Sequence, residues 1–290
     1  MESKVPEIAC EGLENDVFKV VVASVVGSRH RKSGEQRQDT FEVKLNNDSV
    51  AISLCDGAGS ALYAGMGATA VAHAVTVKLS KIDLPIPSPC SDQREIESAQ
   101  RLWQKEVELI LLSAREIIAR ISTTVKENAS LRPFHTTLVA ALVRPIGTVF
   151  LHVGDGFAGA VKVPSDGEEN DDVWEKPVHA SKPSTGEYEN ETYFVTMDNW
   201  KESLRISFAP PSDVIVLMTD GPENFALNAS SEGLAGPLWS GIHRHLVKSP
   251  ADVGAQDLAG TLDSDDAQRL SGDDKTIAWI SIKNNASSLS

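Results

Sequence analysis

Residues 136–163 read TTLVAALVRPIGTVFLHVGDGFAGAVKV, and the punctuation of this stretch decides the architecture. Its apolar, β-branched runs are parted only by Pro145-Ile146-Gly147 and by Gly154-Asp155-Gly156, too few residues for a helix to intervene. Strands joined this tightly pair antiparallel, because parallel neighbours need a crossover of a dozen or more residues. Working outward, DVFKVVVASVV (16–26), TFEVKL (40–45) and SVAISLC (49–55) precede it, the last two parted by the turn signal Asn46-Asn47-Asp48, and together the three read as the beginning of a meander. SLRISFA (203–209), DVIVLMTDG (213–221) and KTIAWISIK (275–283) follow it.

Two helices interrupt the strands. Ala64, Ala68, Val71, Val75 and Leu79 recur at helical spacing within 61–79, and Trp103, Val107, Leu111, Ala114, Ile118 and Ile121 do so within 96–127. A mixed helical region spans about 230–260. Strands, two long helices, strands, a short helical region and a last strand imply an α+β fold of two packed, mainly antiparallel sheets flanked by helices, with the two long helices paired on one outer side. The expected organisation is an N-terminal extension at 1–15, one domain at 16–283 and a disordered tail at 284–290. The polar, Pro-, Gly- and Ser-rich stretch 164–192 is expected to form an excursion or flap near the functional site.

Lys and Arg number 27 against 41 Asp and Glu, a formal net charge of −14, so a general nucleic-acid or anionic-membrane binder is excluded by the long-range field. The N-terminus MESKVPEIACEGLEND lacks the basic start and apolar run of a secretory signal, and no apolar stretch approaches membrane-spanning length. Cys10, Cys55 and Cys90 are odd in number and widely spaced, giving neither a disulfide framework nor a metal pair. The expected setting is a reducing cytoplasm.

Asp39, Asp56, Asp155, Asp220 and Asp273 each stand at the edge of an apolar strand, four of them beside a glycine. One Asp-Gly is a turn signal and nothing more. Several carboxylates gathered at the mouths of paired strands repel one another unless cations neutralise them, and hard oxygen ligands suit Mg²⁺ or Mn²⁺. Gly154 to Gly159 spells G-x-G-x-x-G after a strand, but AVKVP follows as a strand, whereas a dinucleotide turn opens a helix. An aspartyl-phosphatase reading fails for want of Asp-x-Asp after an early strand. His73 and His152 read as structural histidines.

Gln38-Asp39, Asp56-Gly57-Ala58-Gly59-Ser60, His135-Thr136-Thr137, Gly154-Asp155-Gly156, Thr219-Asp220-Gly221 and Asp273-Asp274-Lys275-Thr276 occur in an order that resembles the metal-dependent protein phosphatases of the PP2C (PPM) type, in their bacterial branch with Gln-Asp in the first motif. Tyr188-Glu189-Asn190-Glu191-Thr192 resembles a segment of that branch. The resemblance implies an αββα sandwich that hydrolyses phosphoserine and phosphothreonine monoesters with two Mn²⁺ or Mg²⁺ ions and a third, weaker one. It implies that Asp56 bridges two metals, with the Gly57 carbonyl on one and Asp220 and Asp273 on the other. Asp39 and Gln38 would act from the adjoining shell, and Asp155 at the third metal. Water activated between the metals would attack phosphorus in line, with no protein nucleophile. Substrates would be phosphoserine and phosphothreonine proteins in a bacterial signalling setting with a cognate serine/threonine kinase.

Two departures matter. Gln38 is neutral where Glu is commoner, and Ala58 stands where a proton-donating histidine is commoner, so the acid falls to a metal-bound water or to His30. Arg29, Arg31 and Arg37 all precede Gln38, with Arg29 favoured and Arg37 the alternative for binding phosphate. Gln38 and Ala58 also prompt a second reading, a phosphoprotein-binding module of the same fold with feeble turnover.

Overall fold

The computed structural model describes residues 5–125, 128–164, 171–181 and 192–283. In chain order the elements are β1 (Ile8–Glu14), β2 (Phe18–Val25), α1 (Ser28–Ser33), β3 (Thr40–Leu45), β4 (Val50–Cys55), α2 (Ala64–Leu79), α3 (Gln93–Thr124), β5 (Leu138–Arg144), β6 (Gly147–Val153) and β7 (Phe157–Val161). After them come α4 (Asp172–Glu175), β8 (His179–Ser181), α5 (Trp200–Ser203), β9 (Arg205–Ala209), β10 (Val214–Met218), α6 (Glu223–Ala226), α7 (Gly236–Lys248), α8 (Ala251–Asp263), α9 (Asp265–Leu270) and β11 (Lys275–Ile282).

One sheet has the order β1-β2-β11-β10-β7-β8 and the other β3-β4-β5-β6-β9. Every neighbouring pair is antiparallel. The alternation of side chains along β2 builds two layers of core at once. Val20 and Val22 meet Ile52, Leu54, Val139 and Ile280 between the sheets, while Val21, Ala23 and Val25 face Trp239, Leu258 and Leu262 of α7 and α8. On the opposite outer side, α2 and α3 cover the second sheet through Val71, Val75, Trp103, Val107 and Leu111. This is the sandwich of two sheets between helix layers that the strand order implies.

The structure adjusts several boundaries. α3 starts at Gln93, ahead of the expected 96, because Asp92 accepts the Arg94 and Glu95 amides and Glu95 reaches back to the Asp92 amide, a reciprocal cap. β2 does not join β3 and β4 in a meander; α1 and the loop after it carry the chain across to the other sheet. Residues 8–14, expected in an extension outside the domain, form β1 along β2. Their charged, half-exposed composition is that of an edge strand and hides the strand signal.

Within 164–192, α4 and β8 belong to the domain: Trp174 is buried against Trp239, and β8 pairs with β7. Residues 188–191 of the segment noted above, and 284–290, lie outside the described residues. Among the described residues no helix is long and apolar enough to cross a membrane.

Candidate metal centre

The sandwich delivers its acids to one rim. Asp56 leaves β4 and is held through its backbone by the paired threonines: its carbonyl accepts the Thr137 N–H at 2.9 Å and the Thr136 hydroxyl at 2.8 Å, and its N–H donates to Thr137 Oγ1 at 3.1 Å. Asp220 stands two residues after the end of β10. Asp155 sits at the crossing from β6 in one sheet to β7 in the other, between Gly154 and Gly156 with φ of 100° and 94°. Only glycine takes those angles without strain, which explains Gly-Asp-Gly at this tight crossing. Beneath it, burial pushes the His152 ring down to about 3, so the ring is neutral. Its Nε2 faces the Asp155 carbonyl at 3.2 Å and its Nδ1 faces Ser181 Oγ at 3.1 Å. His152 therefore supports the turn, in agreement with the structural reading of the sequence.

One carboxylate oxygen from each of Asp56, Asp155 and Asp220 lies within 4.8 Å of the other two. Burial and mutual repulsion raise Asp56 well above the usual carboxylate range and Asp220 to about 8. Below the triad, buried Asp39 accepts from Thr219 Oγ1 at 2.8 Å and Thr276 Oγ1 at 2.7 Å, and burial with the nearby Asp274 charge raises it to about 7. The Asp39 charge is among the causes that raise Asp56, so the two carboxyl groups are close enough for each to disfavour ionisation of the other, a repulsion that a cation would relieve.

One oxygen of the triad marks where such a cation fits: Asp155 Oδ1 is buried with no partner, although Asp155 Oδ2 accepts the Thr192 hydroxyl at 2.8 Å. An unpaired buried acceptor among carboxylates belongs to a donor set of hard oxygens, the chemistry Mg²⁺ and Mn²⁺ select. Gln38 Oε1 is likewise buried without a partner. Gly57 pairs across an isolated bridge with Thr136 and has only its backbone carbonyl to offer.

The remaining sequence candidates divide. Asp273 is not in the tight triad; it forms an ion pair with Arg29 and lines a cleft with Asp220, Gly221, Glu223 and Asn224. Arg29, 69% exposed, overlooks the same cleft. Arg37 does not: it is 7% exposed, and its guanidinium donates to Ser24 Oγ, the Asp39 carbonyl and the Pro6 carbonyl. This corrects its candidacy for phosphate, since Arg37 is buried and three of its donors are engaged inside the fold. Arg31 is likewise engaged, with Glu7 and Asp263. The His30 side chain is 13% exposed, with Nδ1 on Asp274 at 2.9 Å and Nε2 3.6 Å from Glu35. Both ring nitrogens thus face carboxylates.

Two acids that strand-edge reasoning passed over also belong here. Glu223, on α6, is raised to about 7 by burial and by Asp155, and lines the cleft with Asp220 and Asp273. Its position three residues after Asp220 is the one signal the sequence carried. Asp274 is the buried neighbour of Asp273.

The family model for protein phosphatase 2C matches residues 26–263, most of the chain. Serine/threonine-protein phosphatase 3 of Escherichia coli (strain K12) is 24% identical over 274 residues, covering 90% of this chain and 97% of that protein. Among solved structures, the serine/threonine phosphatase Stp1 from Staphylococcus aureus superposes with a TM-score of 0.55 at 17% identity, covering 98% of this chain and 100% of that one. The catalytic domain of the serine/threonine protein phosphatase PstP, solved with two manganese ions, gives 0.53 at 14% identity, covering 92% and 98%. With the order of the acidic motifs, the layered sheets and the match over residues 26–263 in agreement, the chain belongs to the protein phosphatase 2C family.

Proposed function

We propose that this chain hydrolyses phosphoserine and phosphothreonine monoesters on proteins, with divalent cations, two in number and Mn²⁺ or Mg²⁺ in kind, held at Asp56, Asp155 and Asp220. The observation that carries the reading is the half-buried triad itself: three carboxylates whose oxygens lie within 4.8 Å of one another repel strongly unless cations lie among them. Bound there, the cations supply Lewis-acid polarisation of the phosphoryl group and of the attacking water. Asp273 is the remaining ligand candidate, reached from the shared cleft once its pairing with Arg29 gives way.

The protein groups have separate tasks. The exposed Arg29 guanidinium presents a planar fork to two phosphoryl oxygens, a geometry suited to bidentate contact. Thr136 and Thr137 hold Asp56 through its backbone, and Asp39 supports it from below. In the overall reaction water adds to phosphorus, the phosphorus–oxygen bond to the substrate side chain breaks, and that oxygen takes a proton. No side-chain nucleophile is required. The phosphoproteins would be products of a serine/threonine kinase in the same cell. A cytoplasmic setting is supported by three cysteines, two of them exposed, that form no disulfide.

The test is hydrolysis of a phosphoserine peptide and of p-nitrophenyl phosphate with Mn²⁺, comparing the protein with Asp220→Asn. The substitution is expected to lower turnover of both by at least about 100-fold, the scale of losing a group that stabilises transition-state charge. Turnover surviving in Asp220→Asn would remove the cluster from the mechanism. Cation-dependent binding of phosphopeptide without turnover by the unaltered protein would favour the binding-module reading.

A further inference from the structure

Asp274 is 2% exposed and stands outside the carboxylate triad, yet one loop sends it four donors. Its Oδ1 accepts the Gly27 N–H at 2.7 Å and lies 2.9 Å from His30 Nδ1. Its Oδ2 accepts the Gln38 N–H at 2.6 Å and the Asp39 N–H at 3.3 Å. The donors come from the start, the α1 turn and the end of residues 27–39, so one buried carboxylate gathers the whole loop.

What the loop carries gives the arrangement its meaning. Next to His30 is Arg29, ion-paired with Asp273 at the cleft. At the far end are Gln38, with its unpartnered buried oxygen, and Asp39, whose charge acts on Asp56. We propose that Asp274, acting with His30, is a positioning residue that fixes the spacing between the phosphate-facing Arg29 and the cation-binding carboxylates. Charge-assisted bonds to a buried carboxylate are short and directional, and a displacement of about 1 Å in such a site costs on the order of 100-fold in rate. His30 fastens the arginine end and the Gln38 and Asp39 amides fasten the acid end, so the two halves are separable. This inference rests on the phosphatase reading above.

Calorimetric titration of Mn²⁺ into the whole chain reads the acid end. Inhibition of p-nitrophenyl phosphate hydrolysis by inorganic phosphate reads the arginine end. Asp274→Asn keeps the shape but turns an amide against converging N–H donors, and is expected to raise both constants by at least about fivefold at a temperature where it is folded by circular dichroism. His30→Ala leaves Gln38 and Asp39 on Asp274 and is expected to raise the phosphate constant alone. A role in folding only would lower Tm and leave both constants where they are. Unchanged constants in folded Asp274→Asn overturn the proposal, as does a Mn²⁺ constant that moves in His30→Ala as far as the phosphate constant. Should Asp274→Asn fail to fold, His30→Ala decides: a shift in phosphate alone supports the proposal, and no shift or a shared one overturns it. Wild-type turnover in Asp220→Asn would overturn the underlying phosphatase reading instead.

Discussion

Arg29 and Arg37 occupy one loop and carry the same charge, and their surroundings give them opposite tasks. Arg37 spends its donors on Ser24, Asp39 and Pro6, so Arg37→Ala strands buried acceptors and is expected to cost about 2 kcal/mol in a urea melt. Arg29 is exposed at the cleft, and Arg29→Ala is expected to raise the inhibition constant of phosphate about tenfold, the loss of a charged hydrogen-bonding partner, with little change in the melt. The reverse order of effects would exchange the two assignments. Nothing in the sequence separates these arginines, because the distinction lies in Ser24 and Pro6, brought to Arg37 only by the fold. The acids were legible for a different reason: Asp56, Asp155 and Asp220 each end an apolar strand beside a glycine, a local mark of a sheet rim. Asp273 carries a like mark at the start of β11, yet in the fold it pairs with Arg29 and stands outside the triad that Asp155 joins. Glu223 and Asp274 carried no such mark, since their roles come from contacts with distant segments.

The element scale repeats this division. Strands buried on both faces, such as β2 and β10, announce themselves as unbroken apolar runs, and the long helices as a 3.6-residue period. β1 and β8 lack both signals, β1 because glutamates and a glycine interrupt its apolar residues and β8 because it is three residues long, whereas the edge strands β3 and β9 keep enough apolar residues to be read. β1 nevertheless covers the flank of β2, and Gly12 within it packs so closely on α8 that an added Cβ would lie 2.0 Å from the Ala251 carbonyl oxygen. Deleting residues 1–15 would bare the β2 backbone, an unpaired edge lined with valine. The expected outcome is a lower Tm together with concentration-dependent association, measured by light scattering. A truncated chain that stayed monomeric with an unchanged melt would show that β1 contributes nothing to the fold.

For the whole molecule, the buried acids make stability, protons and cations a single linked system. Asp39 and Asp220 titrate near 7 and 8 in the fold but near 4 when unfolded, and Glu223 near 7, so between these limits the folded state binds more protons than the unfolded one. Their contribution to stability is full at low pH and is lost as pH rises through 7 to 8. His152 works in the other direction: held down to about 3, it favours the fold fully above its unfolded value of about 6.5 and loses that contribution as pH falls. The interval from about pH 6.5 to 8 is therefore where the acids act without opposition from His152. The metal-free protein is expected to show a falling Tm across it. His30, raised chiefly by its bond to Asp274, adds a decline of the same sign. Cations bind the ionised acids and compete with their protons, so the gain in Tm on adding Mn²⁺ is expected to be larger at pH 8 than at pH 6.5. Scanning calorimetry with and without Mn²⁺ at the two pH values measures that difference directly. A gain that stayed constant or shrank would mean that the cations bind elsewhere than among these acids.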